Sequence, residues 1–213
     1  MTHDARQTTL QSILALAPVV PVVIIDDVAH AVPMARALVA GGIPAIEVTL
    51  RTDAALDAIR AIANEVDGAC VGAGTVLTSA QLEAAGHAGA RFAVSPGTSP
   101  RLLDAADQSE LPLLPGAASA SEAMTLLERG HALQKFFPAS AAGGPALLKA
   151  LSSPLPAIRF CPTGGITARN AGEYLSLPNV VCVGGSWLTP RDLLEAGAWT
   201  AIEALAREAA ALR

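Results

Sequence analysis

The stretch VVPVVIIDDVAHAVPMARALVAGGIPAIEVTL, residues 19–50, holds the repeating unit of this chain in its plainest form. It opens with a short apolar run, Val19 to Ile25, of strand length. Val28, Val32, Ala35 and Val39 then fall at i, i+4, i+7 and i+11, the stripe of a helix that packs one face. Asp27 stands where an N-cap belongs and Gly41-Gly42 where the helix must stop. Ala45 to Leu50 is strand again. A helix between two strands is the crossover that parallel pairing requires, because a tight hairpin can only return a strand antiparallel.

The unit recurs outward from there. Asp53 lies near a second cap, with Ala55, Ile59, Ile62 and Val66 on one helical face. Further apolar runs follow at Ala69 to Gly72, Phe92 to Ser95, Pro112 to Leu114, Leu133 to Phe137, Ile158 to Cys161 and Val180 to Val183, spaced by about the length of one strand–helix unit. A helix around Asp4 to Leu16 precedes the first strand. Eight strands, each followed by a helix, predict an α/β fold, a (β/α)8 TIM barrel with an extra N-terminal helix, as a single domain over residues 1–213. An open doubly wound sheet is the alternative if one or two strands are miscounted.

Composition narrows the function. Apolar residues make up 52% of the chain, yet polar residues and turn-formers break every apolar run well short of about 18 residues, so no membrane span is expected. The polar start MTHDARQTTL lacks the features of a signal peptide. Cys70, Cys161 and Cys182 are odd in number and each sits in an apolar run, which predicts buried thiols and a cytoplasmic setting. A net charge of -5 with 3% aromatics and no basic cluster offers nucleic acid no platform.

Barrel chemistry sits at the C-terminal ends of the strands. Here those ends carry Gly, Pro, Thr and Ser around a few charges. Lys135 stands out: the chain has two lysines against twelve arginines, so a lysine within Leu133 to Pro138 calls for a reason that arginine cannot serve. Arginine stays charged, whereas a lysine among apolar walls can supply the neutral amine that attacks a carbonyl. The plainer explanation is a strand-end lysine reaching solvent along its stem. Lys149, in a helical stretch, reads as surface.

In Ile46-Glu47-Val48-Thr49-Leu50-Arg51 polar and apolar residues alternate with period two, and the flanking helices must cover the apolar face. Glu47, Thr49 and Arg51 therefore turn into the barrel, where Glu47 is an acid/base candidate or one half of a buried ion pair. Gly164-Gly165 and Gly184-Gly185-Ser186, after strands seven and eight, expose backbone N–H groups where barrels often bind phosphate. The four histidines lie away from the strand ends, at expected surface or helix-end positions, and none has metal-ligand spacing.

Taken in order, EVTLRT (47–52), GAGTV (72–76), SPG (95–97), KFFPA (135–139), PTGGI (162–166) and GGSWL (184–188) resemble the 2-keto-3-deoxy-6-phosphogluconate aldolases, which also act as 4-hydroxy-2-oxoglutarate aldolases. The resemblance spans nearly the whole chain. It implies a class I aldolase working through an imine on Lys135, with Glu47 as general acid/base, no metal or organic cofactor, pyruvate as a product and a homotrimeric assembly. By the same resemblance Arg51 and Thr75 hold the substrate carboxylate. Pro96 and Phe137 wall the pocket, Thr163 lies near the substrate hydroxyls, and Gly164, Gly165, Gly184 and Ser186 bind phosphate. Asp26-Asp27 and Thr98-Ser99-Pro100 differ beside the motifs and touch fine specificity alone.

Three other functions compete. An aldolase preferring 2-keto-3-deoxy-6-phosphogalactonate or a non-phosphorylated 2-keto acid would keep the same catalytic pair. A sugar-phosphate sensor would bind without covalent trapping, and a phosphosugar isomerase or synthase would have no need of an imine-forming lysine.

Overall fold

The computed structural model describes residues 2–212. Its strands are β1 (Val19–Val23), β2 (Ala45–Thr49), β3 (Cys70–Gly74), β4 (Ala93–Val94), β5 (Leu113–Leu114), β6 (Gly116–Ala117), β7 (Leu133–Phe136), β8 (Arg159–Pro162) and β9 (Val183–Gly185). Helices α1 (His3–Leu14), α2 (Ala31–Ala40), α3 (Ala55–Glu65), α4 (Ser79–His87), α5 (Pro100–Gln108), α6 (Ala120–Glu128), α7 (Gly144–Leu151), α8 (Ala171–Leu175), α9 (Arg191–Glu195) and α10 (Trp199–Ala210) alternate with them. No helix among the described residues is long and apolar enough to cross a membrane.

Local chemistry starts many of these helices. Thr78, Ser99 and Ser119 each accept a hydrogen bond from a backbone N–H in the first turn of α4, α5 and α6. Glu122 adds a second tie at α6, accepting from the Ala118 N–H at 2.8 Å, and that bond holds its carboxyl below the usual range. Asp27 caps a single 3₁₀ turn, Val28–His30, rather than α2 itself, and α3 begins at Ala55 with Ala54, not Asp53, in the cap position.

All strand pairs are parallel. They form a curled six-stranded sheet in the order β5-β4-β3-β2-β1-β9 and a three-stranded sheet in the order β6-β7-β8. Only Pro115 separates β5 from β6; it has no N–H for the ladder, although its carbonyl still accepts from Lys135 N at 2.8 Å. On the other side, bridges Phe160–Val180 and Thr163–Gly184 tie β8 to the segment that becomes β9.

Side chains alternate between two apolar layers. Ile46, Val48, Phe136, Phe160 and Val183 face outward under the helices. Val20, Ala45, Phe92, Val94, Leu114, Leu133, Cys161 and Cys182 face inward, and Leu10, Ile13 and Leu14 of α1 close that inner cluster. The three cysteines are free thiols, two of them buried. The buried residues of α2 are Ala31, Met34, Ala35, Ala37 and Leu38, a surface wider than and rotated from the stripe expected in the sequence. α10 packs on the same helix, and a Cβ at Gly41 would lie 2.4 Å from Ala206, so that helix is covered from two sides.

One histidine departs from the surface positions expected. His131 is 3% exposed, neither ring nitrogen has a hydrogen-bond partner among the described residues, and its ring meets that of His3 edge-on at 5.1 Å. Burial, and then the proximity of His3, push its pKa down to about 4. The unfolded chain therefore takes up this proton near pH 6.5 while the folded chain resists it. Stability is full above that pH and falls toward pH 4, by about 3 kcal/mol in all. Urea unfolding at pH 7 and pH 4.5 should show this loss, and His131→Phe should remove most of it. An unchanged pH dependence in the variant would place the effect elsewhere.

Candidate active site

Period-two alternation aims the central residues. In β7, Gln134 points outward and donates to the carbonyls of Ala123 and His131, each at 2.9 Å, while Phe136 stacks edge-on with Phe160 in the outer layer. Lys135, between them, therefore faces inward, one layer above Leu133. In β2, Ile46 and Val48 join the outer layer, which turns Glu47 and Thr49 inward. Residues 88 apart in sequence thus meet: Lys135 Nζ donates to Glu47 Oε1 at 3.3 Å, with side chains only 5% and 4% exposed. The Lys135 ammonium also lies 5.3 Å from the centre of the Phe137 ring.

The neighbours of this pair are shaped to it. A Cβ at Gly74 would stand 2.2 Å from Glu47 Oε1, so only glycine leaves the carboxylate its place. The sequence carried that signal in Gly72-Ala73-Gly74, a glycine-rich strand end whose part in seating Glu47 was missed. Gly74→Ala should displace Glu47 from Lys135, and for any reaction in which that carboxylate moves a proton an ångström's misplacement should lower kcat by about 10²-fold. Steady-state turnover checks this, and an unaltered kcat would show that the carboxylate's seat is dispensable. Beneath the pair, a hydrogen bond with Cys161, burial and the charge of Glu47 all push the Cys182 thiol up, keeping it protonated.

Arg51 leaves the interior: it is exposed, and its Nε donates to Thr75 Oγ1 at 3.1 Å. Thr75 adopts φ 57, a left-handed backbone that costs about 1–3 kcal/mol for a β-branched residue and marks strain at a candidate site. Thr49 does not reach the cleft; its hydroxyl donates to Val23 O at 2.9 Å, stitching β2 to β1. Pro96 packs its backbone against Gly116, whose register partner is Lys135.

Arg51, Phe137, Thr163, Gly164-Gly165-Ile166 and Gly184-Gly185-Ser186 line one cleft of ≈ 210 Å³, together with Val22 and Ile24, which the sequence did not single out. Thr163 is 7% exposed, its hydroxyl has no partner among the described residues, and a Cβ at Gly184 would fall 2.2 Å from it. An unpaired buried hydroxyl beside a glycine is poised to take a bond from a ligand. Val22, Ile24 and Ser186 also border a larger cavity of ≈ 450 Å³ with Asp26, Asp27, Arg191 and Glu195 among its lining residues. Among the described residues, no three or more His, Cys, Asp or Glu side chains are grouped to hold a metal ion.

The chain resembles proteins of established name across nearly its whole length. The sequence profile of the family described as KDPG and KHG aldolase matches residues 10–205. A 2-dehydro-3-deoxy-phosphogluconate aldolase of Pseudoalteromonas atlantica is 55% identical over 94% of each chain. The KHG/KDPG aldolase of Escherichia coli is 54% identical over 95% of each. Among solved structures, the KDPG aldolase of Legionella pneumophila, with pyruvate captured at low pH as a covalent carbinolamine intermediate, superposes with TM-score 0.92 at 47% identity, covering 94% of this chain and 98% of that one.

Proposed function

The chain belongs to the KDPG and KHG aldolase family, and from that premise we propose that it is a class I aldolase cleaving 2-keto-3-deoxy-6-phosphogluconate to pyruvate and glyceraldehyde 3-phosphate, and 4-hydroxy-2-oxoglutarate to pyruvate and glyoxylate. The observation that carries this reading is the buried contact of Lys135 Nζ with Glu47 Oε1 at 3.3 Å, beside a cleft lined by glycine turns.

The amine of Lys135, its proton passed to Glu47, adds to the C2 carbonyl and gives a carbinolamine. Loss of water, with a proton supplied by Glu47, yields the protonated imine. Glu47 next removes the C4 hydroxyl proton. The electrons of the C3–C4 bond then flow into the imine, and the aldehyde leaves an enamine of pyruvate. Protonation of that enamine at C3 and hydrolysis of the imine release pyruvate and free Lys135. Arg51, steadied by Thr75, grips the substrate carboxylate, and Thr163 meets a substrate hydroxyl. Phe137 and Pro96 wall the pocket, while Gly164, Gly165, Gly184 and Ser186 receive the phosphate through backbone and hydroxyl donors. The chemistry needs no metal or organic cofactor, since the imine is itself the electron sink.

The same reading makes residues 1–213 one domain with a closed eight-stranded barrel. In its support, only Pro115 separates β5 from β6, and the Phe160–Val180 and Thr163–Gly184 bridges link β8 and its end to the segment around β9. The N-terminal helix α1 then plugs the end opposite the site. A cytoplasmic homotrimer completes the proposal: the free cysteines suit a reducing compartment, and sedimentation velocity reads the three-chain mass directly. Relative kcat/KM for the gluconate-derived substrate, its galactonate-derived epimer and 4-hydroxy-2-oxoglutarate tests the substrate assignment. The first should lead, and a lead for the epimer would overturn the assignment.

A further inference from the structure

From the cradle behind the glycine loop we infer that Ser140, seconded by Asn170 and buried Tyr174, is a positioning residue that sets the Gly164-Gly165-Ile166 N–H groups toward the phosphate of the substrate; the inference rests on the aldolase reading above. Three consecutive carbonyls of this loop are held from one side. Thr163 O accepts from Ala139 N at 2.8 Å and Gly164 O from Ser140 N at 3.0 Å. Gly165 O accepts both from Ser140 Oγ and from Asn170 Nδ2, each at 3.1 Å. Successive carbonyls of an extended chain alternate in direction. These three keep to one side because Gly164 and Gly165 adopt φ 103 and φ 73, open only to glycine at small cost.

In a planar trans peptide the N–H points opposite its carbonyl. Pinning those carbonyls back therefore turns the N–H groups of Gly164, Gly165 and Ile166 the other way, toward the cleft that these residues line. None of the three N–H groups has a hydrogen-bond partner among the described residues. Converging free N–H groups in a left-handed turn form an anion-binding concavity.

Ser140 can hold only one proton, so its bond to Gly165 O requires Tyr174 to be the donor in the 3.2 Å contact between their hydroxyls. Tyr174 is 2% exposed and is the single tyrosine of the chain. A Cβ at Gly165 would stand 2.5 Å from Ser140 Oγ, so serine and glycine fit as a pair. Asn170 is itself oriented, its Oδ1 accepting from Thr167 N at 2.7 Å.

The test compares Ser140→Ala with the unaltered enzyme. Inorganic phosphate serves as a competitive inhibitor, and the readouts are KM and kcat for the phosphorylated keto acid and borohydride trapping of pyruvate, which lacks a phosphate. Loss of one orienting hydrogen bond should raise KM for the phosphorylated substrate and Ki for phosphate together, by about 3- to 10-fold. The kcat and the pyruvate concentration giving half-maximal trapping should stay as they were, and Ser140→Thr, which keeps the hydroxyl, should recover most of the loss. An Ala variant unchanged in KM, or one that weakens pyruvate trapping to the same degree, overturns the inference. If the unaltered enzyme is insensitive to phosphate, the phosphate-loop reading itself falls. Should the Ala variant fail to fold, Tyr174→Phe removes only the donor to Ser140 and must move KM and Ki in the same direction, with no change there counting against the inference.

Discussion

Lys135→Met should leave the protein unable to form a borohydride-stable adduct with pyruvate, and turnover should fall by on the order of 10⁶-fold, the scale seen when a covalent nucleophile is removed. Methionine suits the site in shape, since its unbranched chain follows the path of the lysine stem through apolar surroundings. It cannot form an imine, so the electron sink is gone. The substitution also strands Glu47, which is 3% exposed and would lose its cationic partner. Breaking such a buried pair costs about 3–5 kcal/mol, and the variant must be shown to be folded by near-ultraviolet circular dichroism before its inactivity is interpreted. Intact-protein mass spectrometry after reduction gives the decisive reading. An adduct retained by the folded variant would move the nucleophile to another residue.

Glu47→Gln separates the two members of the pair. Glutamine keeps the shape that Gly74 accommodates and can still hydrogen-bond Lys135, but it cannot carry a proton between amine, carbinolamine and substrate hydroxyl. Pyruvate trapping should persist on a slower time course, while kcat falls by about 10²- to 10⁴-fold, the usual contribution of general acid/base catalysis. An ion pair serving only to hold the interior together would behave differently: stability would drop, and trapping and turnover would decline together. Near-normal kcat in the Gln variant would remove Glu47 from the proton path.

The region around the pair shows which features are written locally. Alternation in Ile46-Glu47-Val48-Thr49 and in Leu133-Gln134-Lys135-Phe136 assigns each side chain a face without knowledge of the rest of the chain, because the strand period is a property of the backbone. The same argument failed at Arg51, which lies past the end of β2, where the pleat no longer controls direction. It also misdrew the stripe on α2, since a second helix, α10, covers that element and its apolar surface is wider than one face. His131 was misplaced for a related reason: it follows a glycine turn that reads as surface, and α1 folds over it from the far end of the sequence. Asp53 sits one residue short of where a cap could act.

Composition and period by themselves determined that strands alternate with crossover helices, that the polar strand ends gather at one end of the sheet, and that one rare lysine and one glutamate face inward. These are local properties, set by side-chain volume, rarity and backbone repeat. Tertiary structure alone decided that Lys135 and Glu47 stand 3.3 Å apart, that Gly74 makes room for the carboxylate, and that Ser140 and Tyr174 brace the loop on which the phosphate would rest. Those distances depend on how far the parallel sheet curls, and the curl is the summed twist of every strand pair together with the packing of the helices outside it, which no single segment of the sequence contains.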